Sequence, residues 1–104
     1  MNMNTRARKA LLTIRRCAAK SRYQLLTPFV NRLDERGLFW PDVKKVLDSP
    51  TDARETWVDR WGRPKWIVQG ESAGGDKLEM ECVLDRDERG KEMVFITIHG
   101  GFTW

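Results

Sequence analysis

A chain of 104 residues with 40% hydrophobic and 10% aromatic residues is sized for one packed domain and has no room for a second independent core. No apolar run approaches the roughly 20 residues that a membrane span requires. Two cysteines and a single histidine fall short of the ligand set of a Cys/His zinc site. The expectation is a cytoplasmic domain with no cofactor and no metal, its Cys17 and Cys82 kept as reduced thiols.

The net charge of +4 conceals an asymmetry. Arg6, Arg8, Lys9, Arg15, Arg16, Lys20, Arg22 and Arg32 precede the first acidic residue, Asp34, so a cationic head stands on a mildly acidic body. Such a head suits phosphate backbones, anionic surfaces or an acidic protein partner. Any single exposed charge pair contributes only about 0–1 kcal/mol. The interaction reading therefore rests on the acid-free run as a whole.

In chain order, 5–20 reads as a helix with Thr5 as its N-cap. Ala7, Leu11, Ile14 and Ala18 recur on one face, while Arg8, Arg15 and Arg16 lie off it. The stripe is narrow and made of small residues, so light docking is expected. The chain divides accordingly into a basic amphipathic helical extension, 1–20, and one compact domain, 21–104. Residues 21–26 read as a loop or extended stretch. Thr27-Pro28 has the chemistry of a helix start, with Thr27 as N-cap, and Gly37 closes that helix. A short helix follows from Trp40-Pro41-Asp42 to the stop at Pro50.

The period then changes. The stretch 54–60 reads as a strand, 61–64 as a turn and 65–70 as the return strand. Leu78, Met80, Cys82 and Leu84 alternate with Glu79, Glu81, Val83 and Asp85, giving one buried and one mostly wet face. A polar turn over 85–90 leads into 91–99, the most apolar strand and the expected centre of the sheet. The fold class is α+β: two to three N-terminal helices packed on one face of a small, roughly four-stranded antiparallel sheet.

The stretch FVNRLDERGLFWPDVKKVLDSP at 29–50, with GRPKWIVQGE at 62–71 and KEMVFITIH at 91–99, resembles a prokaryotic domain family of unknown function. That family's pattern is His-Ala-x-x-Arg-hydrophobic-x-x-Arg-Gly followed by a short helix and a small sheet. Its layout is similar to that of the RelE/BrnT-type toxin ribonucleases. The resemblance implies a RelE-like arrangement and, by fold analogy alone, an action on RNA beside an antitoxin-like partner. The sequence departs from the pattern at the histidine, whose position holds Pro28, and at the neighbouring alanine, whose position holds Phe29.

A metal-independent endoribonuclease needs a base, an acid and cations around the phosphorane. His99, Arg36 and Arg32 are the catalytic candidates; the two arginines share a helix face at i, i+4. Arg60, Arg63, Lys65 and Trp61 cluster around one turn, and Trp61 offers a face on which a base can stack. With Arg8, Arg15 and Arg16 they make the nucleic-acid-binding set. Each has a bland counterpart: Arg32 and Arg36 as pins of helix to sheet, His99 as a strand end, Trp66 as core, Glu79 and Glu81 as a solvated strand face. The competing reading is a non-catalytic module that binds nucleic acid or protein through the basic N-terminal helix, or assembles with further copies of itself. It predicts salt-sensitive binding that disappears when residues 1–20 are deleted from an intact fold.

Overall fold

The structure, a computed structural model, describes residues 4–56 and 62–98. Helix α1, Thr5–Ala19, begins one residue earlier than its threonine suggests: Asn4 is the N-cap, and its side chain accepts from the Ala7 N–H at 2.8 Å. Asparagine outranks threonine in this role because its short, flat amide reaches the exposed amide with less crowding. The helix ends in a Schellman turn. Ser21 adopts φ 57, its N–H donates to the Ala18 carbonyl, and the Arg22 N–H reaches back to Cys17.

Strand β1, Tyr23–Leu25, follows directly, and the chain then turns into α2, Thr27–Glu35. Thr27 is the first helical residue here. The N-cap is Leu26, whose hydrocarbon side chain has no acceptor to cap with; its own N–H donates to the Ile96 carbonyl. The exit from α2 repeats the Schellman geometry with glycine: Gly37 takes φ 65, and the Leu38 N–H donates to Leu33. Leu33 and Leu38 are both buried, the apolar contact that accompanies this motif. Helix α3, Trp40–Asp48, opens with the Asp42 carboxylate accepting the Phe39 N–H at 2.9 Å.

Strands β2, Asp52–Glu55, β3, Lys65–Glu71, β4, Lys77–Arg86, and β5, Glu92–Ile98, complete one five-stranded sheet in the order β1-β5-β4-β3-β2. The α+β class holds. The sheet gains a strand over the four expected and is mixed, since β1 runs parallel to β5 while every other pair is antiparallel. The centre is β4, not β5. In the 54–60 stretch the strand covers 52–55, and 57–61 lie outside the described residues.

One core holds the layers together. Trp66, Val68, Leu78, Met80, Cys82, Val94 and Ile96 project from one sheet face, at the period of two that a pleated strand imposes. Against them pack Phe29 and Leu33 of α2, Val43, Val46 and Leu47 of α3, and the Ala7, Leu11, Ile14 and Cys17 stripe of α1. The docking of α1 is thus firmer than its small residues suggested: Ala7 and Ile14 are each 1% exposed, and the helix contacts β5, α3 and β2. Removing residues 1–20 would open the core, so deletion cannot separate binding from folding. Tyr23 of β1 stacks on Trp40 of α3 with ring centroids 4.1 Å apart, tying the added strand to the helical layer.

The other sheet face carries no helix among the described residues and is laced with ion pairs: Arg54 with Asp52, Lys65 with Glu81 at 3.1 Å, Arg63 with Asp85 at 2.7 Å. This face is drier than strict alternation suggested. Glu79 is buried at 6% exposure with Arg54 3.9 Å away, a correction to its reading as a solvated residue.

Candidate phosphate-binding groove

Among the described residues, those singled out in the sequence do not form one constellation. Arg32 lies on α2 with its Nε 3.5 Å from Glu35, and Arg36 caps the same helix. Arg36 lines a cavity of about 270 Å³ beside the β3–β4 turn, with Leu38 and Lys77. Arg63 and Lys65 belong to the ion pairs on the helix-free face, the opposite side of the sheet from α2. Trp66 is core. Arg15 serves the fold: its Nε donates to the Leu47 carbonyl at 2.6 Å and its Nη2 to Asp48 at 2.7 Å, closing the C-terminus of α3. Arg8 is exposed near the N-terminal end of α1. His99, Arg60 and Trp61 lie outside the described residues.

Cations do converge elsewhere. Where α1 ends and β1 begins, Arg16, Lys20 and Arg22 face the hairpin that joins β4 to β5. That hairpin carries Arg86, Arg89 and Lys91. Two adjoining cavities, about 370 and 470 Å³, lie between them and share Arg22, Arg86 and Lys91. Arg16 and Lys20 line the first, Asp87, Glu88 and Arg89 the second.

The hairpin is ordered by Asp87. Its Oδ1 accepts from the N–H groups of Arg89 at 2.8 Å and Lys91 at 2.9 Å, its Oδ2 from Arg22 Nη2, and Gly90 supplies the φ of 78 that the turn needs. The Lys91 backbone hydrogen bond, and after it the Arg22 guanidinium, hold the Asp87 carboxyl below its ordinary range. Arg22 also donates from Nε to the Glu92 carbonyl at 2.9 Å, while its own carbonyl takes the Val94 N–H. Arg16 pairs with Glu92 at 3.2 Å. Among the described residues Lys20, Arg89 and Lys91 form no ion pair, and the Arg86 guanidinium donates to the Gly90 carbonyl at 2.7 Å and pairs with no carboxylate. Two of the three acids at the groove are therefore already neutralised, and several cations there are not.

Cys17 lines the first cavity at 3% exposure, its thiol pushed up by burial and then by the charge of Glu92. No cluster of three or more His, Cys, Asp or Glu side chains able to hold a metal occurs among the described residues. No helix among them is long and apolar enough to cross a membrane.

The sequence carried part of this signal. Lys20 and Arg22 belong to the acid-free run, and the 85–90 turn is rich in arginine, but only the parallel pairing of β1 with β5 brings the two segments together. Neither a family model, nor a curated protein, nor a solved structure matches the chain.

Proposed function

We propose that the domain is a non-catalytic binding module for the phosphodiester backbone of a nucleic acid, held in the groove between the end of α1 and the β4–β5 hairpin. The observation that carries this reading is the convergence on one groove of the side chains of Lys20, Arg86, Arg89 and Lys91, whose charged ends meet no carboxylate among the described residues. Surface cations that are already paired gain little from a phosphate. Unpaired ones release condensed counterions when they meet it, and that release drives association. The basic segment of α1 takes part through its last turn, with Arg16 and Lys20.

Cleavage is not part of the proposal. The groove's side chains are cations that donate, carboxylates of which two already accept from arginine, and a buried thiol held protonated. The catalytic candidates Arg32 and Arg36 stand on α2, outside the groove's lining. An endoribonuclease of RelE type would require them to act with His99.

Fluorescence anisotropy with single-stranded RNA tests the reading. Reversing Arg89 and Lys91 to glutamate should weaken binding by about tenfold or more, and raising the salt should weaken it in the wild type. Arg8→Glu should change it less than about twofold, since Arg8 lies some 18 Å along the helix from Lys20 at about 1.5 Å per residue. Equal losses from both variants would point to diffuse attraction by the whole α1 face and overturn the groove.

A further inference from the structure

The two cavities of the groove share a wall, and that wall is cationic. Arg22, Arg86 and Lys91 line both, while Lys20 belongs to the first alone and Arg89 to the second alone. A single phosphate seated in one cavity leaves the distal cation of the other unused. Among the described residues the lining of both cavities contains no aromatic ring on which a base could stack. Nor, among the described residues, does the groove present an asparagine or glutamine amide, the usual side chains for reading adenine. Its polar groups are point charges and guanidinium forks, which suit phosphate oxygens.

We infer that the groove takes two consecutive phosphates of a single strand, one in each cavity, and that it does not read the bases. This rests on the proposed binding function and adds to it the ligand's length and its lack of sequence preference. Arg86 and Lys91 sit between the two phosphates, and Lys20 and Arg89 are the outer contacts. The acid Glu88, unpaired among the described residues, lies at the second cavity and opposes the second phosphate. Strands continuing past the groove gain little more.

The test is a calorimetric or NMR titration of the full chain with short oligothymidylate and oligoadenylate over a range of salt. Two phosphate contacts on a single strand give a log–log salt slope of about −1.4, which is about a sevenfold loss of affinity between roughly 50 and 200 mM. The two homopolymers should bind within about twofold of each other. Lys20→Gln and Arg89→Gln, both at exposed positions, should each lower the loss over that salt range to about threefold, one contact fewer. A salt effect above about twentyfold, a marked preference between the homopolymers, or a salt dependence untouched by one of the two substitutions would overturn the two-phosphate assignment while leaving the groove as a binding site. Absence of saturable binding by either strand would overturn the function reading itself.

Discussion

Arg22 and Asp87, 65 positions apart, meet through Nη2 and Oδ2 at 2.5 Å, and their contact fastens the head of β1 to the turn that leads into β5. The acid in this pair stands beside a groove proposed to bind anions. By charge alone its removal should tighten binding. We expect the reverse. Asp87→Ala deletes the acceptor of the Arg22, Arg89 and Lys91 donors at once, and the hairpin cations lose their fixed spacing. Binding of single-stranded RNA should fall by about threefold or more although the net charge rises, and the Arg89 and Lys91 amides should exchange faster with solvent. Tighter binding by Asp87→Ala would refute the positioning role.

The same carboxylate gives a pH signature. Its folded value is depressed below that of the unfolded chain, so its contribution is fully present above about pH 3.9 and is lost as the pH falls through the folded value. Hairpin amide shifts followed through an acid titration should change below about pH 3.9, and Asp87→Asn should abolish that step.

Arg15→Ala should lower stability by about 1–2 kcal/mol in urea unfolding, because two carbonyls at the C-terminus of α3 lose a charged donor there. Arg15→Lys should restore only part of it, since one ammonium does not reproduce a fork that reaches two oxygens. RNA binding should be unchanged. An unaltered midpoint in Arg15→Ala would exclude the capping role.

Gly70 lies where β3 passes under α3, and a Cβ there would stand 3.1 Å from Val46 Cγ1 and 3.5 Å from the Pro50 Cα. Strand propensity favours valine at this position, but packing opposes it. Gly70→Val should cost about 1–3 kcal/mol by overpacking. Combined with Val46→Ala, the two substitutions should destabilise by less than their separate sum, and strict additivity would show that the contact is not the cause.

Much of the fold was legible because it is local. The α1 stripe, the glycine exit of α2, the alternation along β4 and the turn before β5 are all written within a few residues. What escaped is non-local. Tyr-Gln-Leu is too short to show a period, and its strand exists because β5 offers an edge about seventy positions later. Arg15 faces away from its own helix's apolar stripe, and nothing in its neighbourhood shows that it caps α3. Leu26 stands at the cap in place of Thr27 where the chain leaves the sheet, its N–H held by the Ile96 carbonyl of β5. The groove was hidden for the same reason as β1, its two halves being distant in sequence.

The β1–β5 pairing, Tyr23 against Val94 through Leu25 against Ile96, sets the order in which this protein can become itself. During synthesis β1 emerges about seventy positions before the strand it pairs with. A long-range closure of this kind loses most of its loop entropy before the contacts that reward it form. Such a wait is a window for chaperones or for mispairing with another nascent chain. The groove proposed to hold phosphate is built across the same seam and is complete only when β1 and β5 are paired.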